Sequence, residues 1–211
     1  MTQVIFLASG NEKKLAELRA LCADLPVNIV GPESLSQSLP DVEEDQPDFL
    51  GNAKKKALTA AQFVAEHLGP DAWALADDSG LCVNALNGNP GVFSARYSGV
   101  TGEEQDAANN AHLLEQLKST PEGKRQASFH CVIAVAQGNE ILFHAEGSVA
   151  GRILQQADGN AGFGYDPLFY HEPSGCTFAH LSNAQKSIVS HRGQAIAQLR
   201  HTLPQHLPSP A

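Results

Sequence analysis

Apolar positions along this chain follow two rhythms. Short unbroken apolar runs read as buried strands, and apolar residues three and four apart read as helix faces. Val4-Ile5-Phe6-Leu7-Ala8 is the first run. After a turn at Ser9-Gly10-Asn11, Leu15, Leu18, Leu21 and Cys22 recur at helical spacing and predict a helix over residues 12–23. Residues 27–30 form a second short strand, and residues 31–48 read as loop, with Pro32, Pro40, Pro47 and the acidic Asp41, Glu43, Glu44 and Asp45. Phe49, Ala53, Ala57, Ala61, Val64 and Leu68 lie on one stripe of a longer helix that Gly69-Pro70 ends. An apolar run at 73–76 leads into Asp77-Asp78-Ser79-Gly80 at a strand end, and the strand resumes at Leu81-Cys82-Val83. Asn87-Gly88-Asn89-Pro90-Gly91 is a turn. Ala107, Ala111, Leu114 and Leu117 mark a third helix. Residues 127–136 and 140–149 form a hairpin around Gln137-Gly138-Asn139, residues 162–167 form a loop, and residues 195–203 form a closing helix. Helices and strands that alternate early, followed by a late hairpin, predict an α/β fold with a mixed sheet.

At 211 residues the chain can bury a substantial core as one domain or two joined lobes. Residues 1–203 are taken as that domain and 204–211 as a Pro-rich tail. No apolar run approaches the ~20 residues of a membrane helix. The N-terminus lacks the basic start and long apolar stretch of a signal peptide, so a soluble cytoplasmic protein with no membrane partner is expected. Cys22, Cys82, Cys131 and Cys176 are scattered without a C-x-x-C pair, against a zinc site or disulfide framework. A net charge of −9 argues against a nucleic-acid partner, yet basic residues concentrate in a few segments suited to a small polyanion.

Five segments carry chemistry. Ser9, Gly10, Asn11, Glu12, Lys13 and Lys14 form a strand–turn–helix junction, where free N–H groups and the helix dipole suit a phosphate and Lys14 can reach back to it. The spacing is not that of a Walker loop. Asp77 and Asp78 are adjacent carboxylates; alternation along a strand turns them to different partners, so one serves as base or cation ligand and the other is structural. A lone Asp-Ser-Gly in a helix-containing chain does not make an aspartic protease. The acidic stretch ahead of Asn52 and Lys56 offers hard oxygens suited to magnesium. Phe163, Gly164, Tyr165 and Asp166 combine glycines and aromatics, allowing a flat ligand close approach. Lys186, with Ser190-His191-Arg192, can clamp a phosphate or read acceptors on a base edge. Neither G-x-S-x-G nor H-E-x-x-H occurs.

The order of S-G-N-x-x-K at 9–14, F-x-x-N-A-x-x-K-A at 49–57, A-D-D-S-G-L at 76–81, G-x-P-G-x-x-S-A-R-Y at 88–97, G-F-G-Y-D-P at 162–167 and S-H-R-G-x-A at 190–195 resembles the inosine/xanthosine triphosphate pyrophosphatase family. The resemblance covers residues 4 to 200. It implies a long twisted mixed sheet flanked by helices, two lobes around a central cleft, and a homodimer. It also implies magnesium-dependent cleavage of ITP, dITP and XTP to monophosphate and pyrophosphate. Carried over by position, Ser9 to Lys14 cradle the triphosphate. Asp78 is the general base and a metal ligand, Glu44 the second metal ligand, and Lys56 reaches phosphate. Ser79 contacts substrate, Phe163 stacks on the base within a loop running to Asp166, and Lys186, His191 and Arg192 read or clamp the nucleotide. Gly51, His180 and the Asn183-Ala184-Gln185 run before Lys186 depart from residues common in the family, the last removing acids that could orient Lys186. A Maf-like nucleotide pyrophosphatase and a non-catalytic nucleotide sensor on the same scaffold are the alternatives.

Overall fold

A computed structural model describes residues 2–10 and 12–208, and for Glu12, Lys13, Glu17 and Leu21 the backbone alone. The chain runs β1 (Gln3–Leu7), α1 (Glu12–Leu21), β2 (Val27–Val30), α2 (Phe49–His67), β3 (Trp73–Val83) and α3 (Gln105–Gln116). It continues through β4 (Gln126–Gln137), β5 (Glu140–Ile153), β6 (Phe169–His171), β7 (Cys176–Thr177), α4 (Asn183–Val189) and α5 (His191–His206). The strands form one seven-stranded sheet in the order β2-β1-β3-β4-β5-β6-β7. β1 lies parallel to β2 and β3, with Ile5 opposite Ile29 on one side and Trp73 on the other. β6 is antiparallel to β5 and to β7, so the sheet is mixed, as the pattern predicts.

The chain divides into two compact units. The first comprises Met1–Asp78, Val132–Glu146 and Ala195–Ala211, and the second Ser79–Cys131 and Gly147–Gln194. In the first, α2 starts because Asp48 turns its carboxylate back onto the Gly51 N–H at 2.7 Å, an N-cap. A Glu at 51 would complete a reciprocal capping box; Gly51 leaves that half out and makes room for the Gln46 side chain, whose Cβ lies 2.7 Å from where a Cβ at 51 would stand. α2 buries Ala53, Ala57, Ala60, Ala61 and Val64 in a core with Phe6, Ala74, Ala76, Ala134 and Ala136. Such small side chains let helix and sheet approach closely.

The second unit is built on larger groups. Leu81, Val83, Leu113, Val149 and Ile153 surround a ring cluster of Phe129, Phe169 and Phe178, with Phe169 centred 4.7 Å from Phe129 and 4.9 Å from Phe178. Each such side chain fully buried contributes about 1.5–3 kcal/mol. None of the four cysteines is in a disulfide, and Cys22 and Cys131 are buried.

Three expectations change. β3 does not end at Asp77 but runs unbroken for 11 residues through Asp-Asp-Ser-Gly. The last helix starts at His191 rather than Ala195 and carries Pro204 in its final turn. β6, β7 and α4 went unpredicted; two of them are too short to show a period, and α4 keeps no buried residue.

Candidate active site

In the first unit, polar side chains gather where β1 and β3 leave the core. Ala8 N–H still donates to Leu75 O at 2.8 Å, and Ser9 N–H closes onto Leu7 O at 2.8 Å. The chain thus turns at Ser9-Gly10 into α1. Asn11 lies outside the described residues, and Glu12 and Lys13 enter only as the first backbone residues of α1. Lys14, inside the first turn, holds both oxygens of Asp77 at 2.8 and 3.0 Å.

Asp78 takes a separate set of partners, as strand alternation requires. Lys56 Nζ, from α2, donates to Asp78 Oδ1 at 2.9 Å and to Glu44 Oε1 at 2.8 Å. The fully buried Asn52, one helical turn earlier, donates from Nδ2 to Asp78 Oδ2 at 3.2 Å. Its own Oδ1 accepts the Gln46 N–H at 3.0 Å, tying the acidic loop to the helix. Burial pushes the Asp78 carboxyl above the ordinary carboxylate range, and the Lys56 hydrogen bond and charge only partly offset it. Burial pushes Lys56 down, but its hydrogen bonds to Glu44 and Asp78 outweigh that and hold it above a free lysine. Fully ionised, Lys14, Lys56, Asp77, Asp78 and Glu44 carry two positive and three negative charges. Lys55, by contrast, pairs with Asp45 on the exposed side.

The second unit holds a cavity of about 190 Å³ lined by Ser79, Phe129, Phe163, Tyr165, Asp166, Lys186, His191 and Arg192, together with Ser94, Gln105, Asp106 and Asn109. Phe163 is 62% exposed, while Tyr165 is 4% exposed and its hydroxyl donates to Ser94 O at 2.8 Å. Burial drives the Tyr165 phenol far above its ordinary range, so it acts only as a neutral hydroxyl. Lys186 Nζ pairs with Asp166 Oδ2 and sits 4.2 Å from the Phe163 ring centre. Asp166, not an acidic neighbour in sequence, therefore orients Lys186. The same oxygen accepts the Phe163 N–H at 2.9 Å. At Gly162, with φ +83°, a Cβ would fall 2.1 Å from that oxygen, so glycine is required there.

The Ser-His-Arg-Gly segment makes sense as a helix start. Ser190 Oγ accepts the Gly193 N–H at 3.1 Å, capping α5 and setting His191 and Arg192 in its first turn. Any Cβ at Gly193 would stand 1.7 Å from Ser187 O. His191 is buried and stacks on Phe129 at 4.7 Å and 12°. Arg192 donates to Ser79 Oγ at 3.2 Å.

The expected residues thus fall into two groups, each within one unit: Ser9 to Lys14, Glu44, Lys56 and Asp78 in the first, and Ser79, Phe163 to Asp166, Lys186, His191 and Arg192 in the second. Sequence reasoning left out Ser94, Gln105, Asp106, Asn109 and Asn110. The last four share one side of α3, and the signal was a polar face lacking the charge pairs of an ordinary solvated helix. Among the described residues no three His, Cys, Asp or Glu side chains converge as a metal cage.

The Ham1 family profile matches residues 5–202. The dITP/XTP pyrophosphatase of Desulforamulus reducens is 44% identical over 199 residues, covering 94% of each chain. That of Geobacter sulfurreducens is 43% identical over 96% of this chain and 97% of its own. A HAM1 protein structure from Coxiella burnetii superposes with a TM-score of 0.85 at 40% identity, over 96% of this chain and 99% of that one. The nucleoside-triphosphatase, dITP/XTP pyrophosphatase, of Mycobacterium abscessus gives 0.74 at 39% identity, over 93% and 97%. With a family match of this extent and relatives this similar, the chain belongs to the Ham1 family.

Proposed function

We propose that this protein hydrolyses non-standard purine nucleoside triphosphates, ITP, dITP and XTP, at the bond between the α- and β-phosphates, releasing nucleoside monophosphate and pyrophosphate. The observation that carries the reading is the buried Asp78, gripped by Lys56 and Asn52 and shared through Lys56 with Glu44. A carboxylate whose pKa is lifted by burial is a stronger base than a solvated one. Lys14 and Lys56 are the ammonium groups that meet phosphate oxygens, and the first turn of α1, which follows the turn at Ser9-Gly10, offers its dipole and backbone N–H groups. Asp78 accepts the proton of the attacking water, and Asn52 fixes the carboxylate plane while it does so.

Five side chains with an excess of one negative charge do not attract a triphosphate by themselves. Their donor set fits magnesium, which takes one or two carboxylates and completes its shell with water and phosphate oxygens. Glu44 and Asp78 would hold the ion. When bound, it supplies neutralisation of the charge on the phosphate oxygens.

The second unit's cavity takes the purine. Phe163 offers an exposed ring face for stacking, and Lys186 and Arg192 present donors. Hypoxanthine and xanthine carry an oxygen at C6 and satisfy such donors; the adenine amino group does not, and each unpaired buried donor costs about 1–3 kcal/mol. The exposed Phe93 and Val100 give a second copy apolar surface to cover in a homodimer. An enzyme of the free nucleotide pool acts in the cytoplasm; among the described residues no helix is long and apolar enough to cross a membrane.

The test is product identity. ITP and magnesium should yield IMP and pyrophosphate in equal amounts, and chelation with EDTA should stop the release. Formation of IDP and orthophosphate would refute the site of cleavage, and binding without turnover would favour a sensor.

A further inference from the structure

The loop that carries Phe163 is gripped from outside at one residue. Asp106 Oδ2, from α3, accepts the Gly164 N–H at 2.6 Å. One helical turn on, Asn110 Nδ2 donates to Gly164 O at 2.9 Å. The residues are four apart, so they project from one face of α3, and they take the donor and the acceptor of a single glycine. Gly164 has φ +60°, the left-handed region, and nothing stands within 4 Å of the place a Cβ would occupy. On the other side, Asp166 accepts the Phe163 N–H and pairs with Lys186. The exposed ring of Phe163, with Lys186 over its face, is thus also fixed by backbone contacts at both ends.

Asn110 carries a second clue. Its Oδ1 is buried with no hydrogen-bond partner. A buried acceptor left unmatched opposes folding, and an apolar residue of similar size would avoid that penalty. What the amide contributes is its Nδ2, which holds Gly164 O at 2.9 Å.

We propose that Asp106 and Asn110 are positioning residues for base selection: by clamping Gly164 on both sides they set the height and tilt of Phe163, and through Asp166 the place of Lys186, against the purine. The proposal rests on the pyrophosphatase reading above and deepens it. It assigns base discrimination partly to α3, acting through the backbone of Gly164.

The experiment measures pyrophosphate release from ITP and from ATP, IMP binding by calorimetry, and thermal unfolding, for the wild type, D106A, D106N, N110L and N110D. Loss of one such hydrogen bond should raise KM for ITP by about tenfold in D106A and N110L, with kcat within about twofold. IMP binding should weaken in parallel, and the ITP-over-ATP ratio should narrow. D106N keeps an acceptor for the Gly164 N–H and should recover most of the loss. N110D sets an acceptor against Gly164 O and should be worse than N110L. N110L should melt at or above the wild-type temperature while discriminating worse, which a merely structural role would reverse. Wild-type KM and discrimination in D106A and N110L would overturn the inference alone, as would D106N being as damaged as D106A. A wild type that neither cleaves ITP nor binds IMP would overturn the pyrophosphatase reading and the inference with it.

Discussion

Phe163→Ala separates base binding from chemistry. The ring is 62% exposed, so its removal opens no core cavity; what the truncation takes from the fold is the ring face beneath the Lys186 ammonium, 4.2 Å from its centre. An exposed cation–π contact is worth about 0.5–1 kcal/mol, which bounds the drop in folding stability. Base stacking on an aromatic ring is worth about 1–3 kcal/mol, or ~5- to 150-fold in affinity. Phe163→Ala should therefore lower kcat/KM for ITP by about one to two orders of magnitude, mainly through KM. Phe163→Tyr should restore it. Inorganic triphosphate, which has no base, should inhibit both variants and the wild type equally. Steady-state assays with ITP and a melting curve suffice. A KM within twofold of wild type, or an equal loss in inhibition by inorganic triphosphate, would refute the stacking role.

Asp78→Asn should cut turnover by at least about 10²-fold while sparing ITP binding. Near-normal turnover would sink the catalytic assignment. Gly193→Ala drives a Cβ to 1.7 Å from Ser187 O and should destabilise by about 1–3 kcal/mol in urea titration, with His191 and Arg192 displaced; unchanged stability would contradict the helix-junction geometry. His171 is held below its ordinary value of 6.5 by burial, against a smaller opposing effect of Glu172, and bonds Ser174 Oγ at 2.7 Å. The unfolded chain binds the extra proton first, so this contribution is whole above pH 6.5 and is lost as pH falls through the folded-state value. His171→Gln should flatten the acid side of the stability curve, and an unaltered slope would argue against a neutral buried imidazole.

The elements legible in the sequence are those whose burial is local and periodic. α2 shows itself by alanines on one stripe and by Gly69-Pro70 beyond its end, and its observed span Phe49–His67 follows that stripe. β3 is harder to read. Asp-Asp-Ser-Gly reads as a break, because two adjacent carboxylates oppose a buried strand. The strand survives because lysines from two different helices answer them, Lys14 for Asp77 and Lys56 for Asp78. The start of α5 is hidden by a glycine in its first turn, whose need appears only once Ser187 O is in place.

Within the site, charged and aromatic residues stand out by type, so Lys56, Asp78, Phe163, Lys186 and Arg192 are readable in advance. Asp106 and Asn110 are not. Their partners are backbone atoms of Gly164, 58 and 54 positions away, and a peptide group leaves no mark in the side-chain sequence. The partner of Lys186 is likewise no near neighbour, since Asp166 stands 20 residues earlier.

The central claim is that this protein removes the non-standard 6-oxopurine triphosphates ITP and XTP and leaves ATP, which has an amino group at C6, and GTP, whose 2-amino group finds no partner, alone. The most direct measurement is kcat/KM for pyrophosphate release with magnesium, from ITP and XTP against ATP, GTP and the pyrimidine triphosphates. A site that pairs its donors with the C6 oxygen should prefer ITP to ATP by about 10³-fold or more. A ratio near one, or faster release from a pyrimidine triphosphate, would contradict the account.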